Sequence, residues 1–389
     1  PLDQQPDLVI FDEASQAFAE TGLPAIFRAR QIVIAGDENQ LAPTDLYRAR
    51  WQDEDEETEE LFVESLLQLG SLHLPQHWLT QHYRSRFPEL IQFSNQYFYR
   101  NKLQLIPEKQ DLENASPAIE FRKMNGLWEN QANQPEAEKV VELLFSLLAD
   151  GQQDIGIITF NFAQQNLVQD LVEFTAAERK IMVPDSVLIK NIENMQGDEK
   201  QVIIFSIGYA ADAKGKVVSQ FGSLSQAKGE NRLNVAITRA ISKIYVVSSL
   251  GADDLKVDNA KHDGPKMLRE FLRFAQTVSE GKFSWQPMET STGNQPFFLK
   301  DKLISEAKTV GNLSKKLPFA DLVLSRNEQY CQLFRTDDDL YYGQVSARQT
   351  HFDVPFRLQT RNWPYKTFYS RQFWQNPGSV LQDITKTPC

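Results

Sequence analysis

Cysteine is scarce in this sequence. The 389-residue chain has only Cys331 and Cys389. They are too few and too far apart for a disulfide framework or a zinc-ligand spacing, so a reducing cytoplasm is the expected compartment. No run of about eighteen apolar residues occurs, which excludes an ordinary transmembrane helix, and no signal-peptide pattern is present. Positive charge is short as well: the formal net charge is −11. That argues against a broad nonspecific nucleic-acid surface. A local basic channel stays open, because much of the acid is concentrated in one place. DEDEETEE (53–60) alone carries seven carboxylates and reads as a solvated loop leading into a helix at about 61–69. No internal repeat is found. Hydrophobic residues at 41% and charged residues at 24% are ordinary for a soluble globular protein, and the length suggests two or three domains.

What is present begins with LVIFDEASQ. Leu8 to Phe11 are apolar on both sides of a strand, which suits a central parallel strand covered on both faces. The strand ends in two adjacent carboxylates, Asp12 and Glu13. QIVIAGDENQLAPT repeats the pattern: apolar Ile32 to Ala35, a turn at Gly36-Asp37, then Glu38-Asn39-Gln40. Open α/β sheets place their ligand sites at the carboxyl ends of strands. Mg²⁺ takes one or two carboxylates and leaves the rest of its shell to water and phosphate. A second carboxylate that orients the attacking water is the other requirement of nucleoside triphosphate hydrolysis. Asp12 fits the metal role and Glu13 the water role. Two acids opening a helix, where they favour its positive end, is the plainer alternative.

Further along, residues 1–50 read β-α-β. The helix at 61–69 is expected to end at Gly70 as a C-cap. A helix is expected to start near Pro88, another spans 134–151 and closes at Gly151, and 154–172 reads as a strand and a helix. Residues 186–210 hold two strands around a polar turn, and 232–249 a helix followed by a strand. Such alternation predicts a doubly wound domain at about 80–255. One helix is expected in 265–290, and TSTGNQ (290–295) is a linker candidate. An aromatic-rich region follows, with Trp363, Tyr365, Phe368, Tyr369, Phe373 and Trp374. Hydrolysis also calls for positive charge on the transferring phosphoryl group. Arg84, just before a helix, and Arg239, expected on a helix starting near Arg232, stand where an α/β domain could present them.

DEASQ, GDENQLAPT, LTQHYRSRFPELIQFSNQYFY, NMQGDEKQVIIFS and RLNVAITRA occur in the order of the later motifs of superfamily 1 DNA and RNA helicases. The sequence most resembles the 5′ to 3′ branch that includes the nonsense-mediated-decay helicase. These motifs span residues 8–240. The resemblance implies two RecA-like P-loop NTPase motor domains, the first partial (1–78) and the second complete (79–255). A helix and linker (256–295) and a small α+β domain (296–389) would follow. It implies ATP and Mg as cofactors, with Asp12 holding Mg²⁺, Glu13 activating water, Gln40 sensing the γ-phosphate, and Arg84 and Arg239 reaching that phosphate from the second domain. Gln16, Gly36, Asp37, Gly197 and Glu199 would lie at the nucleotide, Glu199 near the ribose. Pro43, Thr44, Asn191 and Asn194 would lie near single-stranded nucleic acid, DNA favoured over RNA. Asn191, Glu193 and Met195 stand where the family usually has threonine, aspartate and phenylalanine, so the grip on the strand is expected to differ in detail.

A helicase of this class needs a P-loop, G-x-x-x-x-G-K-[ST], to cradle the phosphates. KGKVV (214–218) and EGKFS (280–284) lack the leading glycine and the hydroxyl. The chain also opens without an initiator methionine. It is therefore expected to be a piece lacking the first part of the first motor domain, to hydrolyse ATP poorly or not at all alone, and to be open to self-association through its truncated sheet.

At the C-terminal end, Asp321 lies between apolar residues, a strand follows around Gln332 to Phe334, and Asp337-Asp338-Asp339 comes next. Acids gathered by two strands suggest a metal nuclease. WPYKTFYSRQFWQNP (363–377) resembles the tail of endonuclease-like domains at the ends of some bacterial helicases, related to the very-short-patch-repair endonuclease and the wider PD-(D/E)XK fold. Arg335 falls where that fold has an acid, so a degenerate domain that holds DNA without cutting it is expected, with Asp321 and Asp337 as its remaining acids. An unrelated small α+β domain is the alternative. For the whole chain three readings compete: an ATP-driven nucleic-acid motor, a non-hydrolysing scaffold, and a helicase-delivered nuclease. The joint presence of Asp12, Glu13, Gln40, Arg84 and Arg239 favours the first.

Overall fold

The computed structural model describes residues 5–43, 63–113, 116–195, 197–217, 220–285, 299–307, 312–344 and 346–389. The acidic run 53–60, Thr44 and the linker candidate 290–295 lie outside them.

Strand β1 (Leu8–Phe11), helix α1 (Ala19–Ile26) and strand β2 (Gln31–Ile34) form the β-α-β unit read from the sequence, with β1 and β2 parallel and Val9 opposite Ile32. Helix α2 (Leu66–His73) packs on β2 and α1. The pair was expected to be covered on both faces. Among the described residues one face is open: Leu8, Ile10 and Val33 are exposed. Gly70 does not cap α2 but sits buried inside it, because a Cβ there would meet Ile34 Cδ1 at 2.9 Å. The glycine lets the helix lie close on β2. The N-terminus of α2 is fixed by Ser65, whose Oγ accepts from Gln68 N at 3.2 Å.

The second unit runs α3 (Pro88–Tyr97), α4 (Lys109–Glu113), β3 (Ile119–Lys123), α5 (Gln134–Ala149), β4 (Ile155–Thr159), α6 (Phe162–Arg179), β5 (Leu188–Asn191), β6 (Lys200–Ser206), α7 (Gly229–Ile237), β7 (Ala240–Ser248) and α8 (Gly264–Ser279). Its five strands are all parallel, in the order β3-β7-β6-β4-β5. Every residue of β4, in the interior of the sheet, is buried, as expected for a strand with helices on both faces. Pro88 opens α3, where its missing N–H costs nothing. Asn133 and Asn161 cap α5 and α6 with their side-chain oxygens. Gly151 takes a positive φ after α5. Leu268, Phe271, Leu272, Ala275 and Val278 of α8, spaced at helical period, are buried in the same core as Phe93, Phe205 and Ile244. Helix α8 thus belongs to this unit's core. The strands β5 and β6 both flank β4 and do not pair with each other, and because both run parallel to it the segment between them returns from the C-terminal end of β4 to its N-terminal end.

The third unit is α9 (Leu299–Glu306), β8 (Asn312–Ser314), β9 (Leu322–Arg326), β10 (Gln329–Thr336), α10 (Asp339–Tyr342), α11 (Val354–Thr360), β11 (Tyr365–Phe368), α12 (Ser370–Gln375) and α13 (Pro377–Thr385). Its mixed sheet has the order β11-β10-β9-β8, with β8-β9-β10 an antiparallel meander and β11 parallel to β10. The expectation that two cysteines so far apart in sequence make no disulfide framework is corrected here: the chain after α13 returns to β10, and Cys331 and Cys389 form a disulfide. Sequence separation, 58 residues, hides a proximity that the fold creates. No described helix is long and apolar enough to cross a membrane.

Two glycines make the tightest backbone crossing. A Cβ on Gly229, the first residue of α7, would meet the Leu224 carbonyl oxygen at 2.2 Å, and one on Gly264, the first residue of α8, would meet it at 2.1 Å. Both helices therefore start against one carbonyl. Gly229→Ala should destabilise this unit by about 1–3 kcal/mol through backbone displacement, read as a lower urea midpoint at unchanged slope. A wild-type midpoint would show that α7 can shift freely.

Candidate nucleotide cleft and its surroundings

The chain turns sharply where β1 ends. Glu13 has a positive φ of 51°, its N–H donates to Asp12 Oδ1 at 2.9 Å, and Gln16 Nε2 donates to Glu13 Oε2 at 3.0 Å. The Asp12, Glu13 and Gln16 side chains are thereby gathered at the strand end. Gly36 lies against the same turn, since a Cβ there would sit 3.0 Å from Ser15 N. In the next loop Asp37 accepts Asn39 N at 2.9 Å on Oδ1 and Gln40 Nε2 at 3.0 Å on Oδ2. Pro43, at its end, is half-buried.

The second unit meets this edge with cations. Arg84 Nε pairs with Glu199 Oε2 at 2.7 Å, and its Nη1 donates to the Thr238 carbonyl at 3.3 Å. The pairing gives Glu199 an arginine partner where the resemblance implied a ribose. His82 shapes the turn before α3. Burial, and then Arg84, lower its pKa to about 4. The neutral ring accepts Ser85 N at 3.1 Å on Nε2. Arg239 departs from expectation in one respect: α7 ends at Ile237, and Arg239 stands between it and β7 rather than on the helix. It is 4% exposed, and among the described residues its Nε has no hydrogen-bond partner. Burial, and then the neighbouring Arg84, push its pKa down, while Glu13 and Asp198 push it back up. A buried guanidinium beside a second arginine, with an unpaired donor, is a group that an anion would relieve. These residues fit a nucleotide phosphate.

Two asparagines one helical turn apart join the units. Asn231 Nδ2 donates to the carbonyls of Glu38 at 2.9 Å and Gln40 at 2.8 Å, and Asn234 Nδ2 donates to that of Asn39 at 2.9 Å. Tyr99, just after α3, donates its hydroxyl to Asp37 Oδ2 at 2.7 Å and accepts from Asn234 Nδ2 at 3.0 Å. None of the three was singled out in the sequence. Tyr99 and Asn234 lie within the quoted motifs, but their link spans the whole second unit.

At the ends of β4 and β5 lies a second concavity, lined by Asn161, Phe162, Asn191, Glu193, Gly222 and Ser223. Asn191 is buried and its Oδ1 holds Glu193 N at 2.9 Å; Met195 is in the core. Asn194 and Gly197 are exposed, Gly197 with a φ of 80°. Asn161 spends its oxygen on capping α6 and leaves Nδ2 buried without a partner; Phe162 beside it is 62% exposed. The sequence reading passed over both, although an aromatic at a strand end is a usable signal for base stacking.

In the third unit, Asp321 and Asp337 turn inward to the protein. Asp321 Oδ2 accepts Thr336 N at 2.8 Å, and Asp337 Oδ1 accepts the N–H and hydroxyl of Ser370 at 2.8 and 2.7 Å. Asp338 accepts from the N-terminus of α9 and from Thr336. Among the described residues no three His, Cys, Asp or Glu side chains are arranged to hold a metal. Arg335 faces Asp321 and donates to the Thr350 carbonyl at 2.8 Å. Asp321, Arg335, Gln344 and Arg357 line a cavity with Asn101 of the second unit. Burial pushes the Asp321 carboxyl up to about 7, against the Thr336 N–H and Lys300, which favour its charged form.

Two protein-family profiles, each described as an AAA domain, match residues 59–250 and 2–46. The chain is 34% identical over 295 residues to the uncharacterised ATP-dependent helicase MG140 of Mycoplasma genitalium, covering 71% of this chain and 26% of that protein. It is 34% identical to the MG140 homologue of Mycoplasma pneumoniae over 412 residues, 97% of this chain and 36% of that protein. It is 27% identical to the helicase SEN1 of Saccharomyces cerevisiae, over 62% of this chain and 11% of that protein. The chain thus spans about a quarter to a third of the length of the two mycoplasma relatives.

The raised pKa of Asp321 has a sign that can be checked. A carboxyl whose folded pKa lies above its unfolded value contributes stability below pH ~4 that is lost as pH rises through about 7. Asp321→Asn should flatten this slope, so that the wild type loses on the order of 2–4 kcal/mol relative to the variant between pH 4 and 8. Parallel melting profiles of the two proteins across that range would refute the assignment.

Proposed function

Because the chain belongs to the superfamily 1 helicases, of the nonsense-mediated-decay and Sen1 type, we propose that it supplies part of the first motor domain and the whole second motor domain of an ATP-dependent machine. That machine couples ATP hydrolysis to movement along single-stranded nucleic acid, DNA in preference to RNA, and so to duplex unwinding. The observation that carries the reading is convergence across one cleft. Asp12, Glu13 and Gln40 come from the strand ends of the first unit, while Arg84 and the buried, unpaired Arg239 come from the second. Burial and Arg84 lower the pKa of Arg239, and Glu13 opposes them, so the three side chains share one electrostatic environment.

Each residue then has a task. Asp12 would hold Mg²⁺, which when bound would supply neutralisation of phosphate charge. Glu13 orients the attacking water, and Gln16, Gly36 and Asp37 shape the nucleotide's side of the first unit. Arg84 and Arg239 stabilise the charge that develops on the γ-phosphoryl group, and Gln40 reports its presence. Glu199 holds Arg84 in the meantime, and Gly197 gives the turn beside it a conformation that side-chain residues resist. Pro43, Asn191 and Asn194 meet the strand, together with Thr44, which lies outside the described residues. Phe162 offers a ring for a base and Asn161 a free amide donor. The third unit carries thirteen lysines and arginines against nine acids over 299–389, in a chain of net charge −11. That balance suits a backbone contact outside the motor.

In the full-length protein, Glu13→Gln should abolish turnover while ATP still binds, because Asp12 remains. Normal hydrolysis by that variant would remove Glu13 from the water-orienting role. Arg84→Ala and Arg239→Ala should each lower kcat by about 10²-fold or more with weak effects on strand affinity, since their charge acts on the transition state. Unchanged kcat in both would mean that the two units do not close on one nucleotide.

A further inference from the structure

The contacts around Asp37 single out a residue with no assigned part in the reaction. Its Oδ2 accepts two donors: the amide of Gln40 at 3.0 Å from its own loop, and the hydroxyl of Tyr99 at 2.7 Å from the other unit. The same hydroxyl accepts from Asn234, which also holds the Asn39 carbonyl. A single hydroxyl therefore ties together the loop that carries Gln40 and the helix that leads into Arg239.

Tyr99 is placed for this before any nucleotide arrives. It follows α3 directly, in a turn whose next two residues, Arg100 and Asn101, both have positive φ. Asn95 pins the turn from inside, donating to the Leu103 carbonyl at 3.0 Å and accepting Leu103 N at 2.9 Å. Burial and the Asp37 carboxylate keep the phenol protonated and hence a donor. Asn234 is fully buried, so its amide cannot exchange this partner for water. Arg239 lies just past the end of the same helix.

We infer that Tyr99, held by Asn234, is a positioning residue for ATP hydrolysis: through Asp37 it orients the Gln40 amide and sets its distance from Arg239 when the units close. This rests on the reading of Gln40 as the γ-phosphate sensor. Tyr99 itself touches no nucleotide in this scheme. Its loss leaves binding intact and lowers the fraction of bound ATP in the reactive arrangement.

The test uses strand-stimulated ATPase of the full-length protein. Tyr99→Phe keeps the ring and removes the hydroxyl. It should lower kcat about tenfold with ATP KM and melting temperature unchanged. Asn234→Ala should lower kcat as much or more, and the double variant should be no slower than the slower single one, because both break one chain of contacts. Gln40→Ala is run beside them. If it loses turnover while Tyr99→Phe runs at the wild-type rate, the inference is overturned and the sensor reading stands. If Gln40→Ala turns over normally, the sensor reading itself falls. A Tyr99→Phe variant whose KM rises together with a drop in melting temperature would make the hydroxyl merely structural, and multiplicative losses in the double variant would show two independent roles. Either result also overturns the inference.

Discussion

The hold of α7 on the loop after β2 is the contact on which the cleft depends. Among the described residues, the first unit buries little apolar surface: Ala14 and Leu66 are its buried hydrophobic residues, and Leu8, Ile10 and Val33 of its strands are exposed. What joins it to the second unit is polar. Two asparagine amides take three successive main-chain carbonyls, and a tyrosine takes the carboxylate that begins the loop. Each such bond is worth only about 1 kcal/mol net. Main-chain carbonyls are rigidly placed, however, so the bonds fix register far better than a greasy contact of equal strength. A joint made this way can release and re-form without exposing a hydrophobic face.

Electrostatics reinforce the same edge. Arg239 is buried beside another arginine and lacks a partner for Nε. This arrangement is costly by itself. Arg84 is partly neutralised by Glu199, on the turn just ahead of β6. Among the described residues the cleft therefore presents Arg84 with a carboxylate partner and Arg239 with an unpartnered Nε.

Local chemistry made much of this legible in the sequence. Apolar strands ending in carboxylates, Pro88 opening a helix and the caps before α5 and α6 are written in neighbouring residues, and the strands and helices follow them. Asp12 and Glu13 could be named as candidates because they end an apolar strand, whereas Arg84 and Arg239 drew their meaning from the resemblance of their motifs. Contacts made across the fold could not be read. Gly70 looks like a cap until Ile34 is seen beneath it. Arg239 looks helical until the chain is seen to leave α7 before reaching it. Cys331 and Cys389 look unrelated until α13 folds back. Tyr99 is one aromatic among many in its motif, and nothing nearby in sequence announces that its partners lie on β2's loop and on α7.

The third unit is not hung on a tether. Its Trp363 donates to the Pro107 carbonyl at 2.8 Å, Tyr330 N donates to Glu113, and Lys109 N reaches the Arg361 carbonyl. Ile106 shares an apolar cluster with Val323, Leu333 and Leu358. All of these anchor points fall on the segment between α3 and β3, the stretch that Tyr99 begins. The outer unit is thus bolted to the second unit along the segment that leads from Tyr99 to β3. A force on the outer unit would pass through this segment to the turn that carries Tyr99 and, by way of its hydroxyl, to the loop after β2.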